Sequence, residues 1–313
     1  MRRMIIDTDP GIDDTMAISL LLSSPEVKVE ALTTVFGNVE VELGTKNALT
    51  ILEQTGNAGI PVATGASRPI LKPKRQDARW IHGDNGLGGV EFPDPKGKAV
   101  DQHAVQLIID TVMNNPGEIE ILALGPITNI ALAVLLEPRL AENVKDLVFM
   151  GGAFFVSGNA TNMTSANVFS DPEALKIVLN SGMHTTLVGL DVTTKLKWTE
   201  ADLERMRQES PVVGRFAADV CQYRVGLYRS YGMEVPAFEC NDSVAAIWTL
   251  RKDFFRAETL PVDVEVRGEL TYGKTVGDFK GRWDREPNAT IPLEIDADRA
   301  KEFFIQQVIN GRG

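Results

Sequence analysis

The sequence predicts an α/β protein built on an open, mostly parallel sheet with helices on both faces. Apolar, β-rich runs alternate with stretches of helical periodicity along the chain. Those runs are nearly continuous in their apolar character, as strands buried on both faces require. Polar residues gather where the runs stop, and in open parallel sheets ligands bind beyond the carboxyl ends of the strands.

The strand-like runs are MIIDT (4–8), VKVEALTTVFG (27–37), IEILAL (119–124), VKDLVFMGG (144–152) and TTLVGLDV (185–192). Between them, DDTMAISLLLSS (13–24) places Met16, Ala17, Leu20 and Leu21 on one helical face, and NALTILEQTG (47–56) ends at Gly56 as a natural stop. Further helices are predicted over 102–114, 126–136, 171–181, 201–230, 242–250 and 297–310. Two irregular stretches, 66–98 and 151–170, read as functional loops, because long structureless segments in compact domains usually carry binding groups. Neither an internal repeat nor a linker is evident, so residues 1–313 are expected to form a single domain.

With 43% apolar and 24% charged residues the composition is that of an ordinary folded protein. A formal charge of −11 argues against nucleic acid and anionic membranes as partners and favours a small molecule. The two cysteines, Cys221 and Cys240, form neither a disulfide framework nor a Cys/His metal motif. Asp7 interrupts the first apolar stretch before a signal-peptide core can form, and no run is long enough to span a membrane. A cytoplasmic location is expected.

The segment IIDTDPGIDD (5–14) concentrates the chemistry. It places Asp7, Asp9, Asp13 and Asp14 at a strand end and in the first turn of a helix, with Pro10 and Gly11 making the turn. Unit charges about 4 Å apart repel by roughly 4 kcal/mol at an effective dielectric near 20, so clustered carboxylates either protonate or hold a cation. Oxygen ligands without nearby cysteine or histidine suit Ca²⁺ or Mg²⁺, and Ca²⁺ accepts the more irregular shell. A plainer reading makes Asp9 a helix cap and Asp13 and Asp14 surface charges, but a cap needs one aspartate. The DTD triplet also resembles the nucleophile loop of haloacid-dehalogenase-type phosphatases. Gly11 stands where that family usually has Thr or Val.

A longer series of motifs points elsewhere. DTDPGIDD, TTVFGN, IHGDNGLGG, LGPITNIALA, EPRL, LVFMGGAF, GNAT, DPEA, VGLDVT and GDFKGRWDREPNA occur in this order across nearly the whole chain, which resembles the inosine-uridine-preferring nucleoside hydrolase family. The resemblance implies a Rossmann-like nucleoside hydrolase fold and hydrolysis of ribonucleosides to ribose and free base, with bound Ca²⁺. It implies Asp9, Asp14, Asp242 and the carbonyl of Leu124 as metal ligands and Asp9 as the general base. The ribose pocket it implies comprises Asp13, Asn38, Asn159, Ser165, Asn167 and Asp242, and it favours a homodimer or homotetramer. Carboxylates lining the pocket, without a GxxxxGK[ST] loop, favour a nucleoside over a nucleotide.

Two positions depart from the family pattern. Asn241 stands where members that cleave inosine and uridine often carry His, and an amide cannot act as an acid near neutral pH. Ser165 replaces the usual Glu two residues before Asn167. Candidates on the base side are His82, Tyr223, Tyr228, Tyr231 and Asn241, while Trp80 reads as a loop anchor; Arg224 and Arg229 could donate hydrogen bonds to a base, although most helix arginines face water. The alternative function is a nucleoside- or ribose-binding homologue with altered substrate or reduced catalysis.

Overall fold

A computed structural model describes residues 1–74, 77–234 and 237–311; positions 75 and 76 of the loop expected over 66–98, and 312 and 313 of the expected domain, lie outside the described residues. In chain order the strands are β1 (Arg2–Thr8), β2 (Val27–Thr34), β3 (Val62–Thr64), β4 (Ile119–Ala123), β5 (Asp146–Met150), β6 (Thr185–Val188), β7 (Trp198–Thr199), β8 (Ala237–Phe238), β9 (Phe255–Leu260), β10 (Val262–Val264), β11 (Thr275–Gly277) and β12 (Ala289–Ile295). Eight of them form one sheet in the order β3-β2-β1-β4-β5-β6-β12-β9, parallel throughout except for the antiparallel edge pair β12/β9.

The five strands read from the sequence are β1, β2, β4, β5 and β6. β3, β9 and β12 were not expected. β3 has only three residues, and β12 carries Pro292 beside a register shift, where a missing N–H is tolerated near a sheet edge. The helix expected over 201–230 is two, Glu200–Glu209 and Val213–Ser230. Pro211 lies in the break, and a proline inside a helix removes a backbone donor and clashes with the preceding turn. Ser210 restarts the chain by accepting the Gly214 N–H on Oγ at 3.0 Å.

Each sheet face carries an apolar core. One packs the helices Ala104–Met113, Thr128–Leu136 and Pro172–Leu179, and the other packs Ile12–Ser23, Val213–Ser230, Asn241–Leu250 and Ala297–Asn310. The amphipathic face read for the first helix understates its burial: all twelve residues of Ile12–Ser23 are buried, because three other helices surround it. Among the described residues no helix is long and apolar enough to cross a membrane.

Strand order places the ligand crevice. From β1 the chain builds outward through β2 and β3, whereas β4, β5 and β6 build in the other direction, so the order reverses between β1 and β4. Loops leaving the carboxyl ends of neighbouring strands diverge at such a point and leave a cleft. Asp9 follows β1 and Leu124 follows β4, and the Leu124 N–H donates to the Asp7 carbonyl at 2.7 Å, tying the two strand ends together.

Candidate active site

The helix Ile12–Ser23 starts directly after β1, with Asp13 and Asp14 in its first turn. Asp242 occupies the first turn of Asn241–Leu250, which packs against it. Both helix N-termini carry partial positive charge, which favours anions there. Buried oxygens of Asp13, Asp14 and Asp242 lie within 4.8 Å of one another, a grouping able to hold a metal ion. Asp9 is 2% exposed; its Oδ2 accepts the Asn38 N–H at 2.8 Å, while its Oδ1 has no hydrogen-bond partner.

Burial, helped by neighbouring charges, raises Asp9, Asp14 and Asp242 above their ordinary range. Burial pushes Asp14 up to about 6, with the Asp13 charge adding to the effect. Burial and then the Asp14 charge lift Asp9 well above normal, and Asp242 rises likewise through burial and the charges of Asp13, Asp14 and Asp9. Asp9 Oδ1 and Asp13 Oδ1 are buried acceptors without donors, and oxygen-rich, orphaned acceptors fit a hard divalent cation.

A layer of polar groups holds the carboxylates from behind. Thr8 Oγ1 donates to Asp14 Oδ1, and the Gly11 N–H donates to Asp14 Oδ2 at 3.0 Å. The Asn38 amide donates to Asp14 Oδ2 at 3.0 Å and to the Asp9 carbonyl at 3.1 Å. Asn38 therefore braces the aspartates as well as lining the cavity, a role beyond the ribose contact expected of it. Beneath, Asp7 Oδ1 accepts from Thr33 Oγ1 at 2.6 Å and from Asn129 Nδ2 at 2.8 Å, and burial pushes Asp7 up to about 7.

These groups border a cavity of about 390 Å³. Asp9, Asp13, Asp242, Leu124, Asn159 and Asn167 line it, so the cleft gathers residues far apart in the chain. Asn159 accepts the Ala166 N–H on Oδ1 at 2.8 Å, and the Asn167 amide donates to the carbonyls of Leu124 and Met150. Ser165 is not brought into the cavity wall. It is 1% exposed, and its short side chain accepts the Gly152 N–H on Oγ at 2.8 Å, bracing the loop. Asp191 clamps the same loop by accepting the N–H groups of Phe154 and Phe155 at 2.9 and 2.8 Å.

On the expected base side, His82, Tyr228 and Asn241 line the cavity; Tyr223 and Tyr231 do not. The Tyr223 hydroxyl donates to the Trp80 carbonyl at 3.4 Å, and Tyr231 is 63% exposed. His82 Nδ1 accepts the Ile12 N–H at 3.0 Å, and burial lowers the imidazole to about 4, so the ring is neutral near pH 7. Asn241 Oδ1 accepts from Thr193 Oγ1 at 2.8 Å. Trp80, read as a loop anchor, lines the cavity from the four-residue helix Arg79–His82 and is 63% exposed.

Arg224 follows the less common of its two sequence readings. It faces the cavity with 4% exposure, one helical turn before Tyr228, and its Nη2 lies 3.9 Å from Asp13 Oδ1. The sequence held a signal: Arg224 falls among Val220, Cys221 and Val225, all buried on that helix. A second, more open cavity of about 530 Å³ lies along β10 and β11. Its Lys176 and Arg285 both pair with Asp263, at 2.7 and 3.1 Å, and it contains none of the clustered aspartates.

Comparison with known proteins agrees with this geometry. Residues 4–302 match the inosine-uridine preferring nucleoside hydrolase family. The chain is 41% identical over 268 residues to probable uridine nucleosidase 2 of Oryza sativa subsp. japonica, covering 85% of this chain and 79% of that protein. It is 38% identical over 304 residues to the inosine-uridine preferring nucleoside hydrolase of Leishmania major, covering 95% and 94%. The solved purine-preferring ribonucleoside hydrolase from Gardnerella vaginalis superposes with a TM-score of 0.93 at 32% identity, covering 98% of each chain. The protein belongs to the inosine-uridine preferring nucleoside hydrolase family, hydrolases of N-glycosyl bonds.

Proposed function

We propose that the chain hydrolyses the N-glycosidic bond of ribonucleosides, giving ribose and free base, with Asp9 as general base in a Ca²⁺-dependent site. The observation that carries this reading is the orphaned, buried Asp9 Oδ1 on a cavity shared with Asp13 and Asp242. Asp9, Asp14, Asp242 and the Leu124 carbonyl would hold Ca²⁺, which when bound supplies a Lewis acid and a template for the vicinal ribose hydroxyls. Asp13, Asn38, Asn159 and Asn167 offer acceptors and amide donors to the ribose. Asp9, raised by its burial, takes the proton of the attacking water. The surrounding carboxylates stabilise the positive charge that develops on the sugar as the bond breaks.

We read residues 1–313 as one domain, supported by one principal sheet and a family match over 4–302. A reducing, cytoplasmic location accords with Cys221 and Cys240, which are buried and free. A homodimer or homotetramer remains the family-based assembly, tested by light scattering.

The decisive experiment measures reducing-sugar release from purine and pyrimidine ribonucleosides, with deoxyribonucleosides as controls, before and after chelation. Chelator-sensitive release from ribonucleosides alone is expected; no release from any of them would overturn the hydrolase reading. A binding role is the second reading, favoured by Asn241, whose amide cannot protonate a leaving base. Single-turnover assays separate it: binding without any cleavage would establish it.

A further inference from the structure

We infer that Arg224 stabilises the departing base as a fixed cation, in the position where an acid would otherwise protonate it. This inference rests on the nucleoside-hydrolase reading. Arg224 lines the cavity from inside the fold, and its Nε has no hydrogen-bond partner. Its nearest carboxylate oxygen, Asp13 Oδ1, lies 3.9 Å from Nη2, beyond hydrogen-bond distance. A buried guanidinium with donors to spare is costly unless something accepts them. A ligand in the cavity is the natural acceptor.

Other groups on the cavity are less suited. His82 already accepts the Ile12 N–H on Nδ1, and burial leaves its ring neutral. Asn241 has no acidic proton and uses its Oδ1 to accept from Thr193. Burial raises the Tyr228 hydroxyl above its ordinary value, so it holds its proton more firmly. Lys74 is paired with Asp77 at 2.7 Å. Arg224 keeps its charge at any physiological pH, and although it sits beside Asp13 and Tyr228, its buried Nε has no partner.

The step balances without an acid. The water oxygen bonds to C1′ as the C1′–N bond breaks, and the base nitrogen takes the bonding pair. Asp9 receives the water's proton. Guanidinium N–H groups donate to acceptor atoms of the anionic base, which takes a proton from solvent after leaving, and Arg224 ends unchanged.

Leaving-group dependence tests the assignment. The bases of uridine and inosine depart as poor anions, whereas 4-nitrophenolate from 4-nitrophenyl β-D-riboside needs no such help. With Arg224→Gln, kcat/KM on the nucleosides should fall about 100-fold, the scale of losing one oxyanion-type donor, and on the nitrophenyl riboside by less than about five-fold. Arg224→Lys should fall between. Equal losses on both substrates, or none, would overturn the inference. If the variants fail to fold, the unaltered enzyme still decides. Its kcat/KM should show no basic limb between about pH 7 and 8, where neither arginine nor the ring N–H of uridine or inosine titrates; a basic limb in that range would reveal an acid and overturn the assignment. No cleavage of any ribonucleoside by the unaltered chain would remove the hydrolase reading and this inference together. Failure in the variant or pH arms alone removes only the role of Arg224.

Discussion

Asn38 joins Asp9 to Asp14: its backbone N–H donates to Asp9 Oδ2 at 2.8 Å while its side-chain amide donates to Asp14 Oδ2 at 3.0 Å. One residue from the loop after β2 thereby sets the orientation of a carboxylate in the loop after β1 and of another in the first turn of the helix that follows. Asn38→Leu keeps the volume and removes the amide donor. Asp14 Oδ2 keeps the Gly11 N–H but loses one of its two donors, and the Asp9 carbonyl loses the amide as well, so urea denaturation in chelator should show a loss of about 1–3 kcal/mol. An unchanged midpoint would mean that the brace is dispensable.

Asp9→Ala isolates the proposed base. Turnover should fall by about 10²- to 10⁴-fold, the usual contribution of a positioned general base, while far-UV circular dichroism stays native. Near-normal turnover would remove Asp9 from that role.

Gly37 tests position without altering a functional group. A Cβ added there would lie 1.8 Å from Asp9 Oδ2, so Gly37→Ala must push the carboxylate aside. Misplacement by about 1 Å can cost roughly 100-fold in rate, and kcat should drop on that scale while the protein remains folded. Rates within two- or three-fold of the parent, to put a rough figure on tolerance, would show that the Asp9 geometry is not limiting.

His82 sets a pH dependence of stability. Its neutral Nδ1 is the acceptor for the Ile12 N–H, and burial lowers its pKa from 6.5 to about 4. The unfolded chain therefore binds this proton first as pH falls. The contribution is fully present above about pH 6.5 and is lost as pH drops towards about 4. His82→Gln retains an acceptor that does not titrate, so its unfolding free energy should depend less steeply on pH across that window. Identical slopes for parent and variant would assign the titration elsewhere.

Removing the metal should matter more at high pH. Because Asp14 is raised from 3.8 to about 6, its favourable effect on the metal-free fold is present at low pH and lost as pH rises through about 6. Ca²⁺ at about 100 times its dissociation constant adds about 2.7 kcal/mol of stability. Chelation should consequently lower Tm more at pH 8 than at pH 5, a difference that calorimetry measures directly. No Tm change with chelator at pH 8 would argue against a resident cation.

Much of the sheet was legible because its inner strands are near-continuous apolar runs, whereas the reversal at β1/β4 lies in the strand order, which the pairing of distant segments decides. Short or interrupted strands were not legible: β3 has three residues, and β12 contains Pro292. The split of the helices at Pro211 was available in the sequence, but the apolar periodicity on either side concealed it. Within the site, Asp9, Asp13 and Asp14 stood out because carboxylates clustered at a strand end and helix start need compensation, whereas Asp242 was indicated only by the family resemblance.

By itself the sequence determined the α/β class, the order of most elements and the family, because local periodicity and motif spacing are properties of the chain. Only tertiary structure decided which polar side chains reach the cavity. Asp191 and Ser165 hold loop backbone, whereas Arg224 faces the cavity one helical turn before Tyr228. The physical reason is that a side chain's task depends on which donors and acceptors lie within about 3 Å of it, and those partners come from segments distant in sequence.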